Sequence, residues 1–236
     1  MTAADATPRE SGTPLEPDSA APLEVIDLGR RGYAEVLKLQ EERLTARIAG
    51  DVPDALFLVE HDPVVTRGRR SLEGDTAAVP FPVVTIGRGG EATYHGPGQL
   101  VAYPILLLPE GRRDLHRYLR DLEGTVIDAL GALDVRGQRV EGKTGVWVND
   151  RKICSIGVAV RRWVTWHGLA LNVTTDLEAF RSFEPCGLSA DVMTNLKRAL
   201  EGAQGRGGGC ANELMGRVKT EVICALESRF TLKAMG

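Results

Sequence analysis

Residues 146–173 read VWVNDRKICSIGVAVRRWVTWHGLALNV. Three apolar runs rich in β-branched and aromatic residues are interrupted twice. Asn149-Asp150 supplies a pair suited to a tight hairpin turn, and Arg161-Arg162 lies near the second break. Such a stretch predicts a meander of three strands joined by short turns. It does not read as strand–helix–strand units.

Upstream, the stripe Leu115, Leu119, Leu122, Val126, Leu130 and Leu133 predicts a helix over Asp114–Leu133, with Asp114 as its N-cap. The almost wholly apolar run Leu100–Leu108 predicts a strand covered on both faces. Earlier strands are expected at Glu24–Leu28, Ala55–Val59, Val64–Thr66 and Pro82–Ile86, with His61-Asp62-Pro63 a turn signal. Between the first two, Tyr33, Val36, Leu37, Leu44 and Ile48 recur at helical spacing over Tyr33–Ala49, and Gly50 is a natural stop. Downstream, a short helical piece is expected around Leu177–Phe180, ahead of the loop Phe183–Gly187. After the glycine-rich stretch Gly202–Gly209, which reads as a surface loop, comes a closing helix with Leu214, Val218, Val222 and Leu226 on one stripe. Strands outnumber helices and many follow one another directly. The expected class is α+β, with a mixed or antiparallel sheet flanked by helices.

A chain of 236 residues fits one domain. Residues 1–22, rich in Ala, Pro, Thr, Ser and acids, cannot bury enough apolar area and are expected to be a disordered tail. The single domain then spans 23–236. The tail's four acids and one arginine do not suit a mitochondrial transit peptide. No run approaches the roughly 18 apolar residues of a membrane span. A net charge of −3 gives no overall electrostatic footprint for nucleic acid. Cys154, Cys186, Cys210 and Cys224 are widely spaced, with no CxxC pair, so free thiols in a reducing cytoplasm are expected.

Three places could carry chemistry. The loop from Gly87 to Gly98 sets Arg88, Glu91, Tyr94 and His95 among glycines, which let backbone N–H groups come close to a ligand. Gly87, Gly89 and Ala92 also satisfy the dinucleotide spacing Gly-x-Gly-x-x-Gly/Ala. Pro97 and Gly98 break any following helix, so that reading fails. Second, Pro185 and Gly187 hold Cys186 on a tight loop, a poor place for core filling and a good one for a reactive thiol. Cys154, Cys210 and Cys224 fall within strand or helix patterns and are expected to serve as core or surface packing. Third, Lys152 opens an apolar strand, where a partly desolvated amine could act as a base, although a solvated lysine at a hairpin end fits its spacing better. His95 and His167 adjoin glycines. A Cys–His arrangement, or a metal site of His95, His167 and Cys186, is conceivable, but no two of these ligands share a short motif, and no metal is expected. His61 and His116 read as surface residues.

Taken together, Arg88–Gln99, Gly145–Val148, Lys152–Val158, Trp166–Val173 and Pro185–Leu188 resemble the octanoyl-[acyl carrier protein]:protein octanoyltransferases of lipoate biosynthesis. The resemblance covers about residues 23–230. It implies the fold of biotin and lipoate protein ligases, with a mostly antiparallel mixed sheet. It implies Cys186 as the nucleophile that forms an acyl thioester, and Lys152 as the partner that favours the thiolate and handles protons. It assigns the substrate pocket to Arg88, Gly89, Gly90, Glu91, Ala92, Thr93, Tyr94 and His95, to Ser155, Ile156 and Gly157, and to Gly168, Leu169 and Ala170. The implied donor is octanoyl acyl carrier protein. The implied acceptors are lipoyl domains of 2-oxoacid dehydrogenase E2 subunits and the glycine cleavage H protein, with no cofactor, nucleic acid or membrane. Carrier proteins of this kind are acidic, so Arg67, Arg69 and Arg70, or Arg112, Arg113 and Arg117, could dock one. The alternatives are an ATP-dependent lipoate or biotin ligase, a thioesterase, and a non-catalytic acyl-binding protein. A ligase needs no cysteine, and Gly96 after His95 departs from the His-Asp of lipoate ligases.

Overall fold

A computed structural model of the chain describes residues 20–71, 76, 79–183, 189–204 and 210–235. The expected tail through residue 19, the tip of the Cys186 loop (184–188) and residues 205–209 lie outside the described residues.

The meander forms as its sequence requires. Strands Lys143–Val148 (β8), Arg151–Arg161 (β9) and Val164–Asn172 (β10) pair antiparallel in series. Asn149 and Asp150 both take positive φ (48° and 61°), as do Arg162 and Trp163 (49° and 63°). This is the turn geometry whose twist matches that of paired strands.

Around the meander, Ala21–Arg31 (β1), Asp54–His61 (β2), Gln99–Ile105 (β6), Gln138–Val140 (β7) and Leu232–Ala234 (β11) complete an eight-stranded sheet. Its order is β11-β1-β2-β6-β10-β9-β8-β7. The β11–β1–β2 edge is parallel and the remainder antiparallel. The sheet is therefore mixed and mostly antiparallel, as expected. Strand β1 starts at Ala21, two residues before the expected domain start. Val64–Arg67 (β3), Val83–Thr85 (β4) and Thr93–His95 (β5) form a small second sheet.

Helix Tyr33–Ala49 (α1) ends at Gly50, whose left-handed backbone (φ 88°) lets its N–H reach the Ala46 and Arg47 carbonyls. Helix Leu115–Ala132 (α2) starts where Asp114 accepts from the His116 and Arg117 N–H groups (2.8 and 3.1 Å). Helix Ala211–Phe230 (α4) buries the expected Leu214, Val218, Val222 and Leu226. Helix Leu196–Gln204 (α3) takes in Gly202, which its glycine-rich context had assigned to a loop.

Alternation along β6 builds two cores. Leu100 and Ala102 face α2 and α4 with Leu56, Leu58, Leu169 and Leu171. Val101, Tyr103 and Ile105 face Val36 and Leu44 of α1, together with Phe57 and Ala170. Burying one Leu or Phe side chain contributes about 1.5–3 kcal/mol, so these layers fix the strands that carry the site. No helix among the described residues is long and apolar enough to cross a membrane.

Candidate active site

A cavity of about 280 Å³ opens on the α1 face of the large sheet. Its floor is made by small residues of neighbouring strands, with Ser155 opposite Ala170 and Gly157 opposite Gly168. These glycines are required. A Cβ on Gly168 would lie 2.1 Å from the Ala102 carbonyl oxygen, and one on Gly157 would lie 3.0 Å from Arg88 Cδ and 3.1 Å from the Gly89 carbonyl oxygen. The loop entering β5 forms the roof. Gly89 N–H donates to Val158 O (3.1 Å), tying the loop to β9. The buried Arg88 guanidinium donates to Thr66 O and Thr66 Oγ1, both at 3.0 Å. Tyr33, at the start of α1, closes one side.

Three neutral histidines adjoin this space. Burial pushes His61 down to about 4. Burial, then the neighbouring His61, takes His95 to about 3, and burial followed by Arg88 takes His167 to about 3. The hydrogen bonds fix two tautomers. Gln99 Nε2 donates to Tyr94 O (3.1 Å) and Asn172 Oδ1 (2.9 Å), so Gln99 Oε1 accepts from His95 Nδ1 at 2.8 Å. His61 Nδ1 donates to Arg31 O (3.1 Å), leaving Nε2 to accept from the Tyr103 hydroxyl (2.8 Å). His167 is different: both ring nitrogens are buried without a partner among the described residues. Its backbone is left-handed (φ 56°), a conformation costing roughly 1–3 kcal/mol outside glycine. Its N–H is held by the buried Gln40 Oε1 at 2.9 Å.

At the other end stands Lys152, only 4% exposed. Its ammonium lies 5.4 Å from the centre of the Trp147 ring and makes no ion pair among the described residues. Lys152 Cε lies 2.9 Å from where a Cβ on Gly145 would sit. Gly145, at φ 134°, is pinned by its N–H to Glu123 Oε1 (3.0 Å). Glu123 is a fully buried carboxylate whose other oxygen takes Arg120 (2.7 Å) and Arg139 (3.0 Å). Beside Lys152, Met193 forms a parallel bridge with it and Thr194 N–H donates to its carbonyl (2.9 Å). Thr194 O accepts from Asn172 Nδ2 (3.0 Å), so side-chain bonds connect His95 through Gln99 and Asn172 to the backbone of Lys152.

Of the pocket residues expected from sequence, Arg88, Gly90, Glu91, Thr93, His95, Ser155, Ile156, Gly157, Gly168, Leu169 and Ala170 line the cavity together with Lys152. Gly89, Ala92 and Tyr94 do not. Alternation along β5 sends Tyr94 to the far side, where it packs on Phe81 and Phe180, and Ala92 joins that cluster. Cys186 lies outside the described residues. His61, a surface residue by its sequence context, is instead fully buried, enclosed by Tyr33 and Tyr103, while His116 is exposed. Cys154 packs in the core, and Cys210 and Cys224 are exposed. Tyr33, Arg70, Tyr103, Lys143 and His167 also line the cavity and were not assigned to it from sequence. Gln40 carried a readable signal: it is a polar residue on the otherwise apolar buried stripe of α1. No group of three or more His, Cys, Asp or Glu side chains among the described residues is arranged for a metal.

The mixed sheet with helices on both faces is the fold of the lipoate protein ligases. Lipoate-protein ligase A bound with ATP superposes with a TM-score of 0.68 at 15% identity, covering 92% of this chain and 90% of that one. A bipartite lipoate protein ligase of Thermoplasma acidophilum gives 0.62 at 16% identity, covering 92% and 88%. Sequence narrows the class, because residues 32–207 match the lipoyl protein ligase A/B catalytic domain and the chain belongs to that family. An octanoyltransferase of Geobacter sulfurreducens is 49% identical over 179 residues, 75% of either chain. One of Syntrophotalea carbinolica is 48% identical over 176 residues, 75% of this chain and 83% of its own. With relatives of that activity aligned at this level, the protein is an enzyme of the acyltransferase class.

Proposed function

We propose that this enzyme moves an octanoyl group from octanoyl acyl carrier protein to the target lysine of a lipoyl domain, by way of a thioester on Cys186. The observation that carries this reading is Lys152, a lysine buried at the edge of a cavity with no carboxylate partner among the described residues. A buried ammonium is costly unless its site uses it. The chain flanking 184–188 supports the pairing with Cys186. Phe183 on one side and Met193 on the other pack in the same cluster, and Met193 is bridged to Lys152.

In the first step the Cys186 thiolate attacks the donor's thioester carbonyl. A new S–C bond forms, the bond to the phosphopantetheine sulfur breaks, and that sulfur leaves as a thiol with the proton of Lys152. In the second step the acceptor lysine amine attacks the acyl-enzyme. A C–N bond forms, the Cys186 thiolate leaves, and Lys152 takes the proton lost by the amine. A thioester becomes an amide, which runs downhill without ATP. Backbone N–H groups near the carbonyl would stabilise its oxyanion. Arg69 is exposed, Arg70 and Lys143 line the cavity, and together they offer an acidic carrier protein a basic approach. Exposed free thiols at Cys210 and Cys224 suit the reducing cytoplasm.

Intact-mass measurement after mixing with octanoyl carrier protein, without ATP, tests the proposal. Wild type is expected to gain one octanoyl group at position 186 and to pass it to a lipoyl domain. Cys186→Ala should gain none. Acylation of the lipoyl domain only with ATP and free octanoate would make the enzyme a ligase, and release of octanoate to water would make it a thioesterase.

A further inference from the structure

A second cavity, of about 290 Å³, lies past the end of β6 and shares no lining residue with the active-site cavity. Its walls come from distant parts of the chain: Leu106, Leu107 and Leu108 after β6, Phe230 at the end of α4, and the paired Ala21 and Leu232 of β1 and β11. Leu106, Leu108 and Leu232 are 2%, 3% and 8% exposed, so the inner lining is hydrocarbon.

Charge is gathered toward the solvent side. Asp54, the lining acid, is already committed: its Oδ1 accepts from Arg47 Nε (2.6 Å) and from the Leu107 N–H (2.9 Å). Arg112, half-buried, and Arg113, exposed, have no carboxylate at ion-pair distance among the described residues. Each is tethered to a carbonyl instead, Arg112 Nη1 to Arg229 O (3.2 Å) and Arg113 Nε to Leu108 O (3.3 Å). The Arg113 guanidinium also lies 5.8 Å from the centre of the Trp163 ring. These contacts restrain both forks and leave most of their N–H donors to an acceptor. Two such forks above an apolar hollow suit a molecule with an anionic head and a hydrocarbon body. At roughly 30 Å³ for a water-sized group, the space admits about ten of them, the size of a straight-chain acid of about eight carbons.

We propose that this cavity binds a free medium-chain monocarboxylate, with its head on Arg112 and Arg113 and its chain against Leu106, Leu108 and Phe230. The site stands apart from the transfer chemistry and does not rest on it.

The test is photolabelling of the full chain with an octanoate that carries a diazirine near its methyl end, mapped by peptide mass. Adducts are expected within Leu106–Arg113 and Phe230–Leu232, separately from any around Ser155 and Gly168 in the other cavity. Octanol, a chain without charge, and acetate, a charge without a chain, should each compete at least about tenfold more weakly than octanoate. Arg112→Glu with Arg113→Glu should cut labelling of those segments about tenfold and leave labelling around Ser155 unchanged. If that variant does not fold, glutamine at both positions should give a smaller loss in the same direction. Labelling confined to the active-site cavity, or unchanged labelling in the double variant, overturns the proposal. So does equal competition by octanol, which makes the hollow merely greasy, or by acetate, which makes it a plain anion site.

Discussion

Replacing Glu123 by alanine should destabilise the protein by about 3 kcal/mol. The carboxylate is fully buried and accepts from the buried Gly145 N–H at 3.0 Å. Leaving that donor unmet costs about 1–3 kcal/mol. The lost side-chain methylene adds about 0.8 kcal/mol. Arg120 and Arg139 are 50% and 42% exposed and can turn to water, so each ion pair adds at most about 1 kcal/mol. Glu123→Gln keeps an acceptor for Gly145 but turns an amide NH2 toward the two guanidiniums in place of an accepting oxygen, so both ion pairs go and about 1–2 kcal/mol is expected. Urea unfolding with the slope held common measures both. Because Gly145 backs the Lys152 stem, acylation by octanoyl carrier protein should also slow in the alanine variant by more than its unfolded fraction explains. A loss below about 1 kcal/mol in Glu123→Ala, or equal losses in both variants, would refute the reasoning.

Gly145→Ala places a Cβ 2.5 Å from the Cys154 carbonyl oxygen and 2.9 Å from Lys152 Cε, on a backbone at φ 134°. It should cut acyl transfer at least tenfold, and near-wild-type single-turnover acylation would show that Lys152 needs no such backing. The buried histidines make stability depend on pH. Their native pKa values lie below the unfolded 6.5, so the contribution is complete above pH 6.5 and is lost as pH falls toward about 4 for His61 and about 3 for His95 and His167. Each should withdraw about 2 kcal/mol between pH 6.5 and 5. Urea unfolding at those two pH values measures it, His61→Gln should show a shallower drop, and equal stability at both would contradict neutral burial. Arg69→Glu should slow acylation from carrier protein while leaving a small octanoyl thioester unaffected, and equal losses with both donors would remove the docking surface.

The meander, the three long flanking helices and the Asp114 cap were legible because each rests on local signals, namely turn chemistry, periodic apolar stripes and a capping side chain. Strands β7 and β11 were not, since three residues carry no periodicity and their pairing is decided by distant partners. His61 follows the same rule. It precedes an Asp-Pro turn and so reads as solvent-facing, yet Tyr33, 28 positions earlier, and Tyr103, 42 positions later, close over it. Of the residues that the resemblance assigns to the pocket, Arg88, His95, Ser155 and Gly168 line one cavity, whereas Tyr94 packs in an apolar cluster on the far side, because a continuous string of residues does not convey the alternation of a strand. The side chains of Gln40 and Glu123 accept from backbone N–H groups elsewhere in the chain, those of His167 and Gly145, and no local pattern states that.

Strand β11 pairs with β1 only from Ala21 to Leu23, and Met235 N–H adds a bond to the Leu23 carbonyl at 2.9 Å. Strand β1 is thus capped by residues that follow it by more than 200 positions and can pair with it only once they have been made. Until then its outer row of amides is open to other chains, a hazard for aggregation during synthesis. Glu24, Asp27, Arg30 and Arg31 lie along the rest of that border, where charge rather than pairing deters a stray strand.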